Sequence, residues 1–241
     1  PRWLTFIIHI AFVATQWFFM RPSFDSEWWP YLLLIALNPF IVARHDLHVY
    51  PIWLFVAVAC VLMLRRQWIW AAIAWGLLIA GRHTLWIPFP FVVLYLWTGV
   101  GKREALRFGL IAVGLAVALI TAFAVTDVQM FIYSVFGYTR SVVVEISTQP
   151  WSRVAGWLSG FSVVPLLYRM GVSAFLQPIQ FVLVSILAVI AFLRRPSMNE
   201  SLWLGSIALL IFLLLNPLSE AYMYGELLVL AAFTTFAATQ R

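Results

Sequence analysis

Two short polar clusters hold three of the four histidines in this sequence, each cluster beside an arginine. The first, Arg44-His45-Asp46-Leu47-His48, sets a carboxylate between two imidazoles and beside a guanidinium, just ahead of Pro51. Histidine changes charge near neutral pH, and a neighbouring carboxylate can hold it or orient a hydroxyl for deprotonation. His45, Asp46 and His48 are therefore the candidates for general acid–base work, with Arg44 beside them to bind an anion. In the second cluster, Gly81-Arg82-His83, the planar fork of Arg82 suits a phosphate. A looser third group holds Arg140 and Arg153 as anion binders, Trp151 as a platform for a sugar ring, and Glu220 close to Tyr222 and Glu226.

Each of these residues also has a plainer explanation. A carboxylate at the start of a helix, such as Asp46, is a partner for the helix dipole or for a nearby arginine. Arg82 at a span boundary can snorkel to water. An anionic lipid surface attracts Arg140 and Arg153 without any specific substrate, and an interface suits Trp151 for its own sake. Ser219 as an N-cap with Glu220 in the first turn would serve a helix N-terminus. No metal or cofactor is expected. His45-x-x-His48 is not the i, i+4 pair of a zinc-protease helix and has no glutamate between its histidines, Cys60 is the only cysteine, and neither a phosphate-binding glycine loop nor a dinucleotide fingerprint occurs.

These polar residues are scarce because the chain is built for lipid. Of its 241 residues 64% are hydrophobic and 10% charged, against about 25% charged in a soluble domain. The composition defines an all-α integral membrane protein. Its net charge of +6 comes from basic residues at the ends of apolar runs, where membrane topology places them, so no nucleic-acid partner is expected.

A helix crosses the hydrocarbon core with about 17 to 25 apolar residues. Trp3 to Met20, Phe108 to Thr126 and Val172 to Leu193 meet that directly, and Gln177-Pro178 should kink the last. Tyr31 to Ala43, Pro51 to Leu64, Trp68 to Ala80, Leu85 to Trp97, Leu202 to Leu215 and Leu227 to Ala238 are shorter and read as spans packed inside a bundle. Together they predict nine transmembrane helices in one polytopic domain, 1–241. Asn38-Pro39 and Pro88-Phe89-Pro90 break two of them, and a broken backbone at membrane depth needs protein or a watered cavity around it. Residues 127–171 form a long connection that opens with an amphipathic pattern, Val128, Phe131, Ile132, Val135 and Phe136, suited to lying along an interface. The chain starts at Pro1 with an apolar run from Trp3 and no signal-peptide cleavage pattern, which reads as the C-terminal portion of a longer protein.

Alternation of nine spans collects Arg21, Arg65, Arg66, Lys102, Arg103, Arg107, Arg194, Arg195 and Arg241 on one face and leaves Arg2, Arg44 and Arg82 in the short connections of the other. The basic excess makes the first face cytoplasmic in a cell membrane. Both polar clusters, the 127–171 connection and Ser219-Glu220 then lie on the extracytoplasmic face.

From Asn38 the order is Asn-Pro-Phe-Ile-Val-Ala-Arg-His-Asp-Leu-His, an apolar span, Arg65-Arg66, a Trp/Ala/Gly-rich span, Gly81-Arg82-His83 and a proline-broken span. Over Asn38 to Trp97 this resembles the polytopic C-type membrane glycosyltransferases, in particular glycosyltransferase family 87, the polyprenol-phosphate-mannose-dependent mannosyltransferases. The resemblance implies transfer of a hexose, mannose in that family's manner, from a polyprenyl-phosphate-linked sugar to a lipid or glycan acceptor outside the cytoplasm, with membrane lipids as surroundings. It also implies that the catalytic base of the first extracytoplasmic loop lies upstream of Pro1. A multi-pass transporter or flippase for a lipid-linked or anionic substrate is the competing expectation, since broken spans and intramembrane cations serve carriers too.

Overall fold

The computed structural model describes residues 7, 10–14, 17–18, 49–133, 167, 170–171, 175–216 and 223–237. Among them every regular element is helical. The helices are α1 (Val49–Leu64), α2 (Trp68–Gly81), α3 (Phe89–Tyr95), α4 (Lys102–Thr126), α5 (Val128–Ile132), α6 (Leu176–Arg194), α7 (Met198–Leu214) and α8 (Met223–Ala237). A 3₁₀ turn over His83–Trp86 precedes α3, and a π turn over Leu96–Val100 follows it.

Neighbouring helices form an arc in the order α4, α2, α1, α8, α7, α6, and the composite segment His83–Val100 packs between α4 and α7. Small residues set how closely the helices approach. A Cβ on Gly76 would sit 2.9 Å from the Ala112 carbonyl oxygen and 3.1 Å from Leu115, so α2 and α4 touch almost backbone to backbone there. Buried Ala71, Ala72, Ala105, Ala112 and Ala116 extend that seam. Rings fill the space that the small residues leave. Trp75 meets Phe89 at 5.9 Å between centroids, Phe89 stacks on Phe108 at 6.1 Å, and the Trp75 indole N–H donates to Met63 Sδ at 3.3 Å.

Three segments are long and apolar enough to cross a membrane: His83–Val100, Lys102–Thr126 and Leu176–Arg194. The chain is a helical membrane protein. The two continuous long helices are the most exposed, with only 17% of the apolar window of α4 and 11% of that of α6 buried. Leu110, Phe123, Phe181 and Leu193 stand open on them, as lipid-facing residues should. Helix α2, with 14 residues, rises only about 21 Å, short of the roughly 30 Å core. Half of its side chains are buried among its neighbours.

The segment Leu85 to Trp97 is interrupted at its prolines as the sequence predicts, and the freed backbone groups are met locally. Ile87 N–H donates to the Thr84 carbonyl and Phe91 N–H to that of Pro88. Gly205 on α7 then approaches Pro88 so closely that a Cβ would lie 3.1 Å from the proline ring, which seals the break inside protein. In α6 the expected kink at Gln177-Pro178 does not arise. The helix begins at Leu176, so Pro178 falls in the first turn, where no intrahelical N–H is needed.

Helix starts fall earlier than the apolar runs suggest. Helix α4 begins at Lys102 instead of Phe108, and Lys102 lies 5.5 Å over the Trp97 ring. Helix α7 begins at Met198 instead of Leu202, because Ser197 and Glu200 form a reciprocal capping box. The amphipathic stretch after Asp127 starts as a helix whose first turn Asp127 caps by accepting from Met130 N–H at 2.8 Å. Val128, Met130 and Ile132 on it are exposed. The runs Trp3 to Met20 and Tyr31 to Ala43, with Asn38-Pro39, lie wholly or mostly outside the described residues.

Gly76→Val should lower stability by about 1–3 kcal/mol through overpacking against α4. Gly109→Ala, where the space is open, should be neutral or mildly stabilising. Denaturant titration in detergent micelles compares the two, and equal stability for both variants would contradict the close α2–α4 seam.

Candidate functional site

The connections divide the described charges between the two ends of the bundle. Arg65, Arg66, Lys102, Arg103, Arg107, Arg194 and Arg195 all fall at the end where α1 and α6 finish and α2, α4 and α7 begin. The opposite end carries the α2–α3 junction and the start of α8. There a guanidinium and a carboxylate meet across 144 residues of sequence.

Arg82 stands where α2 ends and the 3₁₀ turn begins. Its backbone is extended, its N–H donates to the Leu78 carbonyl, and its own carbonyl accepts from Leu85 N–H. The chain thus changes direction at this residue, and its side chain points across to the first turn of α8. Arg82 Nε donates to Glu226 Oε1 at 2.6 Å, and Thr84 Oγ1 donates to Glu226 Oε2 at 2.5 Å. Each carboxylate oxygen therefore has its own donor. Glu226 and Thr84 are fully buried and the Arg82 side chain is 11% exposed.

Local structure favours this placement. Glu226 lies in the first turn of α8 and Arg82 at the C-terminus of α2, so each charge sits at the helix end whose dipole welcomes it. Gly225 allows the approach: a Cβ there would overlap the buried Trp53 indole, so only a bare backbone lets α8 lie against α1. Two helix junctions far apart in sequence are tied at one point, with α1 pressed against the tie.

Of the residues singled out from sequence, Arg82 is buried in this cluster and His83 next to it is exposed. The structure brings Arg82 together with Glu226, a pairing that neither reading of Arg82 from the sequence included. Arg44, His45, Asp46, His48, Arg140, Trp151, Arg153 and Glu220 lie outside the described residues, as does Tyr222. Thr84 was missed. Its signal was faint: a hydroxyl two residues from a boundary arginine, in a 3₁₀ turn that brings it beside the carboxylate. Among the described residues no three His, Cys, Asp or Glu side chains gather as metal ligands would.

The arrangement fixes geometry. A carboxylate with both oxygens occupied and no exposure is a structural anchor, and a dry environment strengthens it. Comparison with family models, with curated proteins and with solved structures finds no match for the chain. The resemblance to glycosyltransferases rests on the quoted residues alone.

Removing one partner of the ion pair should cost far more than removing both. Glu226→Leu or Arg82→Leu should destabilise by about 3–5 kcal/mol, whereas the double Arg82→Leu/Glu226→Leu variant should recover most of that loss. Thr84→Val should cost about 1.5–3 kcal/mol as a lost hydrogen bond to a charged group. Additive losses in this double-mutant cycle would show that the two groups are not coupled.

Proposed function

We propose that the chain is the membrane-embedded portion of an inverting glycosyltransferase that takes a hexose from a polyprenyl-phosphate carrier. In this reading nine helices span a cell membrane, the basic end of the bundle faces the cytoplasm, and the reaction takes place at the end where Arg82 and Glu226 meet. The acceptor hydroxyl attacks the anomeric carbon, the bond from that carbon to the lipid phosphate breaks, and the hydroxyl proton passes to a base. Asp46 with His45 or His48 takes that proton. Arg44, His83, Arg140 and Arg153 bind the phosphate, and Trp151 and Glu220 contact the sugar or acceptor.

The observation that carries the reading is the Arg82–Thr84–Glu226 cluster. It ties α2 to α8 beside α1, and along the chain α1 directly follows the Arg44–His48 cluster while α8 starts three residues after Glu220. A rigid tie at that point would hold the roots of both candidate segments in register, as a transfer reaction between two large substrates requires. Arg82 enters as a positioning residue. The uneven split of basic side chains between the two ends supports the proposed orientation.

Transfer of a radiolabelled hexose from a polyprenyl-phosphate donor by the protein in proteoliposomes tests the reading. Asp46→Ala should lower the rate about 100-fold or more while preserving expression and helix content. Wild-type transfer by well-folded Asp46→Ala protein would remove the assignment of this cluster. Movement of the labelled lipid between leaflets without any transfer would favour a carrier.

A further inference from the structure

Away from the ion pair, the outer surface of α1 and α2 carries a groove of about 390 Å³ lined by Phe55, Val58 and Leu62 from α1 and by Trp70, Ile73 and Leu77 from α2. Its one polar lining residue is Gln67, at the basic end, immediately after Arg65-Arg66. We propose that this groove is a binding site for one anionic glycerophospholipid, with an acyl chain along the groove and the phosphate at the Arg65-Arg66-Gln67 turn.

Length argues for that occupant. From Gln67 to Leu77 the groove follows ten residues of helix, about 15 Å at the α-helical rise. That is half of the roughly 30 Å hydrocarbon core, the depth of one leaflet. An acyl chain whose headgroup sits at the basic end fits this span, whereas a polyprenyl chain is far longer than the groove.

The turn argues for the charge. Gln67 N–H donates to the Leu62 carbonyl and Arg66 N–H to that of Met63, both at 2.9 Å, which is the hydrogen-bond pattern that closes a helix with a left-handed residue. Arg66 is that residue, at φ 56°. Glycine is the usual occupant, because a side chain there is strained. The turn would be more relaxed without the arginine, so what Arg66 adds is its charge in the turn, between Arg65 and the groove-lining Gln67. Arg65, Arg66 and Gln67 are all exposed there, and a lipid phosphate is the anion that reaches such a position in a membrane. Aromatic and aliphatic walls without a charged lining residue disfavour a polar ligand below the mouth.

The same backbone device separates this site from general attraction to a charged surface. Arg194-Arg195 ends α6 with Arg195 also left-handed, at φ 48°, yet no groove residue comes from α6. Full-length chain purified in detergent, delipidated and then offered phosphatidylglycerol or phosphatidylcholine is read by native mass spectrometry for retained lipid. Wild type should hold one phosphatidylglycerol in preference to phosphatidylcholine. Arg65→Ala/Arg66→Gly, which keeps the turn, should weaken retention about tenfold or more. Val58→Phe, which fills the groove and leaves the charges, should weaken it too. Arg194→Ala/Arg195→Gly should retain lipid as wild type does. Equal losses from the two arginine pairs, undiminished retention in Val58→Phe, or equal retention of both lipids would each overturn the proposal. Circular dichroism of every variant checks that the helices are intact, and Val58→Ile provides a second, milder filling variant should Val58→Phe fail to fold.

Discussion

Low dielectric is the constraint that organises this molecule, and the Arg82–Glu226 pair is where it acts most strongly. A charge left alone at membrane depth costs several kcal/mol, so a buried carboxylate must find donors for both oxygens. Glu226 finds them in Arg82 and Thr84, which stand on either side of a helix junction 142 to 144 residues earlier. That requirement fixes the rotation of α8 about its axis, the direction in which α2 ends, and the 3₁₀ geometry of the next four residues. The Gly225–Trp53 contact follows from the same approach, since α8 must come close enough for its carboxylate to reach.

The remainder of the bundle solves the same problem for the backbone. Short helices cannot span lipid alone, and here α1 and α2 are each packed between neighbours with one face left open. Prolines that would expose carbonyls sit either in a first turn, as Pro178 does, or against Gly205, as Pro88 does. Side-chain hydroxyls follow suit: Ser206 donates to the Leu202 carbonyl and Thr98 to that of Leu94, so neither adds an unmet polar group. Charges without such partners are gathered at the ends, exposed to water and headgroups.

Apolar periodicity made the helices legible in the sequence, and basic punctuation showed where several of them turn, because lipid tolerates few alternatives. Boundaries were less legible where polar residues belong to a helix. Lys102 to Arg107 continue α4 below its apolar run, and Met198 to Ser201 belong to α7 because of a Ser197–Glu200 box that the S-x-x-E spacing could have revealed. Arg82 stood out in the sequence because it interrupts apolar surroundings. Its partner did not, because ion pairing across 144 residues of sequence leaves no local spacing to read. Glu226 was visible only as one of two acidic residues near the last span.

This difference bears on how chemistry is sought in apolar chains. A lone cation between spans suggests an anionic ligand, and the same physics that makes the cation expensive also selects an internal carboxylate to meet it. An internal partner is favoured when small residues let the helices close, as Gly225 does here, because the carboxylate is then fully buried and both its oxygens are met from within the chain. Arginines at Arg65-Arg66 lie at the other extreme. They are exposed, one is held in a backbone conformation that glycine would adopt with less strain, and the described contacts give them no buried carboxylate. Burial therefore separates two classes of cation that look alike in sequence: those that hold the protein together and those that face outward to the lipid phase.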